Sequence, residues 1–357
     1  MHKMLFEEYR TFAHKFPEPQ YLGAKYAHLD WIRQFIPIDI RTVLDAFAGS
    51  QSVSFLFKQL GFSTITNDFL NFNYQIGKAL IENESQVLDH HDIHILFQDS
   101  PNKNNWTLME HLFTNIFFEQ DQAVFLDNFR ANIPLLQNDY KKALAFTIIC
   151  RSVTRKITMG HFAHTQALNY AGNSERIRRN RSLVRPIKDI FMELLPLYNN
   201  AVFHNDRQNI SCHRNILELL PELSNIDLVY FDPPYCNSHA DYQSFYHLLE
   251  TFTEYWKDKQ FINKIKRYEP QRFSGFDKKK DVAESFEKLF EASENIPYWI
   301  ISYNDRSYPA IDVFEKLITK YRKVRIEMKI YQNGRGGKGS VAGSREILFI
   351  CSPKKTV

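Results

Sequence analysis

The sequence lacks the features that place a protein in a membrane or in an oxidising compartment. No run approaches the roughly 18 apolar residues that a spanning helix needs, and residues 1–8 carry no apolar stretch or small-residue cleavage site. The four cysteines stand singly, without a Cys-x-x-Cys pair, so zinc sites and disulfide frameworks are not expected. We expect a cytoplasmic, soluble protein without membrane contact.

A large excess of charge of one sign is also absent from the chain as a whole. The 357 residues include 45 Lys and Arg against 41 Asp and Glu, a net charge of +4. That total is too small to indicate a nucleic-acid or membrane partner. The positive charge is nevertheless concentrated, since residues 151–188 hold nine basic side chains against one acid. Residues 264–280 hold seven against two.

The first third of the chain alternates helix and strand, and this order predicts one half of a doubly wound α/β sheet. A helix is predicted over 26–36, a strand over 41–45, a helix over 53–60 and a strand over 62–68. Further strands are predicted at 201–203, 210–213, 227–231, 298–303, 325–331 and 345–351, the last two flanking a glycine-rich loop.

Between these α/β segments the alternation stops. Residues 113–136 and 140–157 have the apolar spacing of helices, and the basic run follows them. We therefore predict a core formed by residues 1–84 and 200–357, interrupted at 85–199 by a mostly helical insertion. The run from Asp89 to His94 contains three histidines but no partner cluster, so no metal site is expected.

The most specific signal is Asp232-Pro233-Pro234-Tyr235, directly after the apolar strand at 227–231. Ligands of open α/β sheets bind beyond the carboxyl ends of the strands. The prolines have no backbone N–H, so the turn offers acceptors, the Asp232 carboxylate and the Pro233 carbonyl, beside an aromatic ring. Such a turn suits an exocyclic amino group whose hydrogens become acidic as its nitrogen attacks an electrophile.

This turn resembles the catalytic motif of the amino-group DNA methyltransferases, which use S-adenosyl-L-methionine. Four further segments are similar to motifs of that family: Tyr21-Leu22-Gly23-Ala24-Lys25, Asp45-Ala46-Phe47-Ala48-Gly49-Ser50, Asn67-Asp68 and Ser302-Tyr303-Asn304. Their order, with an insertion before Asp-Pro-Pro-Tyr, is that of the bacterial adenine-N6 methyltransferases of the Dam type.

The resemblance implies a Rossmann-like S-adenosylmethionine-dependent methyltransferase core, with a mixed seven-stranded sheet and a DNA-recognition insertion. It implies base flipping and direct displacement of the methyl group by the amino nitrogen. The implied catalytic residues are Asp232, Pro233, Pro234 and Tyr235. The implied cofactor-binding residues are Tyr21, Lys25, Asp45, Phe47, Ala48, Gly49, Ser50, Asp68, Asn215 and Asp232, with Lys25 on the cofactor carboxylate and Asp68 on the ribose.

The implied substrate is double-stranded DNA, with a cognate restriction endonuclease as a possible partner. Basic residues suit phosphates and base edges, and the predicted DNA-binding residues are Arg151, Arg155, Lys156, Arg176, Arg178, Arg179, Arg181, Arg335 and Lys338. Two alternatives stay open. One is a cytosine-N4 or RNA adenine methyltransferase, and the other is a DNA-binding relative that has lost turnover.

Overall fold

The computed structural model describes residues 14–157, 160–165, 167–236, 241–270, 273–331 and 344–354. Nine strands lie in these residues. They are β1 (Thr42–Asp45), β2 (Ser63–Asp68), β3 (Ile210–His213), β4 (Leu228–Phe231), β5 (Phe261–Ile262), β6 (Arg267–Tyr268), β7 (Tyr298–Asn304), β8 (Lys323–Tyr331) and β9 (Ser344–Ser352).

Seven of these strands form one sheet in the order β3-β2-β1-β4-β7-β9-β8, while β5 and β6 form a separate hairpin. The first five strands of that order are parallel, and β9 runs antiparallel between β7 and β8. The mixed seven-stranded sheet expected from the resemblance is confirmed. Chain order reverses between β1 and β4, which opens a crevice beyond their carboxyl ends.

Helices cover the sheet and build the region between β2 and β3. They are α1 (Leu29–Arg33), α2 (Ser52–Gln59), α3 (Asn71–Gly77), α4 (His90–Phe97), α5 (Leu108–Phe113), α6 (Gln120–Asn132), α7 (Asp139–Arg155), α8 (Ala167–Ala171), α9 (Ser174–Arg179), α10 (Ile187–Asn199), α11 (Ile216–Leu219), α12 (Tyr242–Phe245), α13 (His247–Glu254), α14 (Val282–Ala292) and α15 (Ile311–Thr319). Within the described ranges, none of these helices has the length and apolar character needed to cross a bilayer.

Both faces of the sheet are buried. Successive side chains of a strand point to opposite faces, and each face packs against helices. Val43 and Leu228 pack into a cluster with Phe57 of α2. Their neighbours Leu44 and Val229 pack on the other face, against side chains of α11, α14 and α15. This two-sided burial explains why the parallel strands read as apolar runs rather than as alternating patterns.

The helices α4, α5, α6, α7 and α10 share a third core cluster with α3 and α13. Leu144 and Ile149 of α7 are fully buried in that cluster. The helices of residues 85–199 therefore pack on helices outside that range, among them α3 after β2 and α13 after β4. The division into a core and an insertion at 85–199 stays a prediction.

Two local predictions were wrong. The helix predicted over 113–136 starts only at Gln120, because the chain first turns tightly at Asn115, which has φ 61° and donates its N–H to Phe118 O. Residues 201–203 do not form a strand. Phe203 instead lies against Phe55 and stacks on His14, so its aromatic character reflects packing outside the sheet.

Candidate active site

A cleft of about 1000 Å³, counting its open mouth, lies beyond the carboxyl ends of β1, β2 and β4. Every residue for which the resemblance implies a catalytic or cofactor-binding role lines it: Tyr21, Lys25, Asp45, Phe47, Ala48, Gly49, Ser50, Asp68, Asn215, Asp232, Pro233, Pro234 and Tyr235. These residues come from segments far apart in the chain, and the parallel strands bring them together.

The Asp232 turn follows β4 directly and forms one wall of the cleft. The Tyr235 hydroxyl donates to Asp232 Oδ1 at 3.0 Å, and Lys25 Nζ lies 2.8 Å from Asp232 Oδ2. Burial raises the pKa of Asp232, and the Lys25 ammonium acts in the opposite direction. Both oxygens of the carboxylate thus face positively polarised hydrogens.

Lys25 is buried and its ammonium group lies close to three protein oxygens. Besides Asp232, these are Gly23 O at 3.0 Å and Glu346 Oε1 at 3.3 Å. Burial alone would lower the pKa of Lys25, but the carboxylates of Asp232 and Glu346 outweigh it, so the pKa is raised. Lys25 therefore faces protein oxygens in this structure, whereas the resemblance places it on the cofactor carboxylate.

Glu346 and Ser302 complete this cluster, and sequence reasoning missed the first of them. Glu346 Oε1 accepts from Ser302 Oγ at 2.9 Å and lies 3.1 Å from the Tyr235 hydroxyl. Ser302 belongs to the predicted motif at the end of β7. The signal in the sequence for Glu346 is its position beside the apolar run Ile347–Phe349. Because an unpaired buried charge is costly, an acid at this position indicates a nearby charged or hydrogen-bonding partner.

Asp45 ends β1 beneath the turn at 46–51. Its Oδ2 accepts from Ser54 Oγ at 2.6 Å, while its buried Oδ1 has no hydrogen-bond partner among the described residues. Burial raises the pKa of Asp45 to about 7, although the Ser54 hydroxyl acts against the shift. Since buried polar atoms are normally satisfied, Asp45 Oδ1 is available to a ligand donor.

Gly49 allows the turn above Asp45 to close against an aromatic ring. It adopts φ 48°, and a Cβ at this position would lie 3.0 Å from Cε1 of Tyr21. Its N–H donates to Asp68 Oδ2 at 2.8 Å. Asp68 Oδ1 accepts from Leu70 N at 2.8 Å and from Asn73 Nδ2 at 3.1 Å. Asp68 therefore ties the turn to the start of α3.

Aromatic side chains build two sides of the cleft. Tyr21 stacks on Tyr246 with ring centroids 4.7 Å apart and on Tyr242 at 5.7 Å. Tyr242 lines the cleft and was not predicted, because its helix α12 follows the catalytic turn without a recognisable motif. On another side, Phe47 meets Phe276 edge-on at 5.1 Å.

Asn215 caps the short helix α11 at the rim of the cleft. Its Oδ1 accepts from Leu217 N at 3.1 Å, so this oxygen is used locally. The side-chain amide N–H groups of Asn215 are the donors it brings to the cleft. They fit a ligand acceptor, such as a ring nitrogen, better than an amino group.

Three of the predicted DNA-binding residues contact other parts of the protein. Arg151 donates to Gln20 Oε1 at 2.9 Å, Arg155 pairs with Glu193 at 2.7 Å and Lys156 donates to Arg185 O at 2.5 Å. Burial lowers the pKa of Lys156. These contacts hold the end of α7 against the N-terminal segment and α10, which gives the three side chains a structural task.

The remaining basic residues of the insertion are more open. Arg178 and Arg181 are exposed, Arg179 pairs with Glu175, and the Arg176 guanidinium lies 3.8 Å from the Tyr170 ring centre. The predicted DNA-binding residues Arg335 and Lys338 lie outside the described residues. The DNA-binding role of all nine residues stays a prediction.

A cluster of His213, Glu250 and Glu254 lies behind the cleft, with potential ligand atoms within 4.8 Å of one another. Glu250 accepts from Asn71 N at 2.9 Å and Phe72 N at 3.2 Å, at the start of α3. A carboxylate at a helix N-terminus satisfies otherwise unpaired amides. The position of Glu250 is thus explained by helix capping.

Two comparisons with known proteins bear on this site. A family model described as D12 class N6 adenine-specific DNA methyltransferase matches residues 21–304. The chain is also 32% identical, over 343 residues, to the Type II methyltransferase M2.HphI of Haemophilus parahaemolyticus. That alignment covers 94% of this chain and 98% of the relative.

Proposed function

Since the chain belongs to the D12 class of N6 adenine-specific DNA methyltransferases, we propose that it transfers a methyl group from S-adenosyl-L-methionine to adenine N6 at a specific site in double-stranded DNA. The observation that carries the proposal is the convergence on one cleft of every residue for which the family resemblance implies a catalytic or cofactor-binding role. The amino-group acceptors and the cofactor turn share that cleft.

S-adenosyl-L-methionine would occupy the part of the cleft that lies beyond the carboxyl ends of β1 and β2. Asp45 Oδ1 lacks a partner among the described residues and fits an ammonium group of the methionine part. Asp68 uses one or two acceptor positions of each oxygen. A carboxylate offers about four such positions, so ribose hydroxyls can still be accepted there. Tyr21 and Phe47 supply the apolar walls.

The target adenine suits the Asp232 turn. The Asp232 carboxylate and the Pro233 carbonyl would accept the two amino hydrogens, and the Tyr235 ring would stack on the base. When bound, the cofactor supplies a sulfonium-activated methyl group. Asp232 and Pro233 then hold the N6 lone pair toward that methyl group and stabilise the positive charge that develops on nitrogen. A duplex base must be flipped out to reach this turn.

The DNA would lie across the cleft mouth and the basic part of the insertion. Phe162 N donates to Phe245 O at 2.8 Å, and His247 Nε2 lies 3.2 Å from Phe162 O. These contacts join the basic run to α12 and α13, next to Tyr242 at the cleft. Exposed arginines such as Arg178 and Arg181 are then candidates for phosphate or base contacts.

The setting we propose is a restriction–modification system with a cognate endonuclease. Its support is that M2.HphI, which aligns over nearly its whole length, is called a Type II methyltransferase. Methylation at the recognition site would protect host DNA from that endonuclease.

Purified protein should transfer labelled methyl groups from S-adenosyl-L-methionine to duplex DNA, and nucleoside analysis should find N6-methyladenine. Asp232→Ala should abolish transfer while leaving the fold intact. Asp312→Ala, an exposed position in α15, is the matched control and should keep full activity. Full activity of Asp232→Ala would overturn the proposed site. A methylated cytosine, a preference for RNA, or DNA binding without any product would favour one of the alternatives.

A further inference from the structure

Glu346 lies in β9, behind Lys25 and Tyr235, and the methyl transfer described above gives it no task. The residue is 8% exposed, and β9 pairs it with Asn304 at the end of β7. Burying a carboxylate costs free energy unless charges and hydrogen bonds compensate. Its compensation comes from Lys25, Tyr235 and Ser302.

The charges of this cluster do not cancel. Asp232 and Lys25 alone would form a neutral pair. Glu346 shares the same ammonium, so two carboxylates and one ammonium leave a net charge of −1 beside the Asp232 turn. In a buried site such a charge acts strongly, because the effective dielectric constant is far below that of water.

We propose that Glu346 is a positioning residue that shares Lys25 with Asp232 and thereby keeps negative charge available to adenine N6. The inference rests on the proposed function. During transfer the N6 lone pair forms the N6–carbon bond while the carbon–sulfur electron pair returns to sulfur, which leaves as a neutral thioether. Positive charge thereby moves from sulfur to N6 until N6 releases a proton to solvent. The excess negative charge would stabilise N6 at that stage more than it stabilises the starting state.

Hydrogen bonds point the same way. The Lys25 ammonium donates to Gly23 O and forms ion pairs with both Asp232 and Glu346. Without the Glu346 charge, Asp232 would be the single carboxylate paired with Lys25 in this cluster, and the closer pairing would weaken Asp232 as an acceptor for the amino group. The single Tyr235 hydroxyl hydrogen, now between Asp232 and Glu346, would also turn toward Asp232.

The first test is Glu346→Gln, which keeps the shape of the side chain and removes its charge. We expect kcat to fall roughly 10- to 100-fold. KM values for DNA and cofactor should change less than about threefold, since a loss confined to the transition state leaves ground-state binding intact. Circular dichroism and the unfolding midpoint check the fold. Glu291→Gln, at an exposed position in α14, should keep the wild-type kcat.

The decisive test repeats Glu346→Gln in a Lys25→Met background, with single-turnover rates at saturating cofactor. There the substitution changes the cluster from −2 to −1 instead of from −1 to zero. We expect a clearly smaller loss there, because no ammonium is left to be drawn onto Asp232, whereas a merely structural role predicts the same loss in both backgrounds. Equal losses, or a wild-type rate of the single variant while Asp232→Ala is inactive, would overturn the inference. A wild-type protein that methylates no adenine would instead contradict the proposed function.

Discussion

Asp45 and Asp68 end neighbouring parallel strands, but their carboxyl oxygens are used differently. Both oxygens of Asp68 accept N–H groups from the turn and from α3. Asp45 has one oxygen on Ser54 and one without a partner among the described residues. The residue type alone predicts a hydrogen-bond acceptor at the end of both strands. The hydrogen bonds of the structure show that Asp68 is mainly structural, whereas Asp45 keeps one oxygen open to a ligand.

Asp45 should make cofactor binding depend on pH. Its pKa in the ligand-free protein is raised to about 7 by burial, and an ammonium group binds the ionised form. Affinity should therefore be full above pH 7 and fall as the pH drops through 7, by about tenfold per unit below it. Calorimetric titration of S-adenosyl-L-methionine between pH 5.5 and 8 would measure this dependence.

The matched variants for this measurement are Asp45→Asn and Asp30→Asn. Asp45→Asn keeps the volume but cannot ionise, so its affinity should be weaker and nearly independent of pH over the same range. Asp30→Asn, at an exposed position in α1, should reproduce the wild-type curve. An unchanged pH dependence in Asp45→Asn would assign the titration to another group.

At the scale of elements, one side chain connects the ends of three strands. Asn67 of β2 is 1% exposed. Its Nδ2 donates to Ala46 O at 3.2 Å and Arg214 O at 3.1 Å, and its Oδ1 accepts from Arg214 N at 3.1 Å. Because Ala46 follows β1 and Arg214 follows β3, Asn67 fixes the spacing of the loops that surround the cleft.

Asn67→Ala should therefore loosen the cleft and the fold together. The substitution leaves buried backbone groups without partners, which costs about 1–3 kcal/mol of unfolding free energy, and cofactor affinity should fall because the turn after β1 loses a tether. Chemical denaturation and calorimetry measure the two effects. Asn104→Ala, at an exposed position, should change neither. Unaltered stability of Asn67→Ala would show that water or a neighbour replaces the amide.

Sequence predicted those elements whose signals are local. The Asp232–Tyr235 turn and the 45–50 turn are contiguous runs directly after apolar strands, so their type and place could be predicted. Glu346 and Tyr242 could not, because their roles arise from pairing between β7 and β9 and from stacking on Tyr21. The helix start at Gln120 was missed for a similar reason, since the turn at Asn115 depends on one positive φ.

At the scale of the whole molecule, the basic run of 151–188 separates into two parts. Arg151, Arg155 and Lys156 hold α7 to other segments, while Arg178 and Arg181 stay exposed. The local charge excess therefore overstates the surface available to DNA. A net charge of +4 is compatible with DNA binding only if a few exposed basic residues lie where the duplex passes.

The double variant Arg178→Gln/Arg181→Gln should weaken DNA binding without affecting the fold. If each arginine neutralises one phosphate, the slope of log affinity against log salt should become shallower by roughly 2, about 0.9 for each lost contact. Fluorescence anisotropy with duplex DNA over a range of salt concentrations gives that slope, and the unfolding midpoint should not move because both side chains are exposed.

The matched variant is Arg155→Gln, which breaks the contact with Glu193 and should leave the salt slope unchanged. A slope that changes in Arg155→Gln but not in the double variant would move the DNA surface to the end of α7. A loss of affinity at one DNA sequence only, with an unchanged slope, would mean that Arg178 or Arg181 reads base edges rather than phosphates.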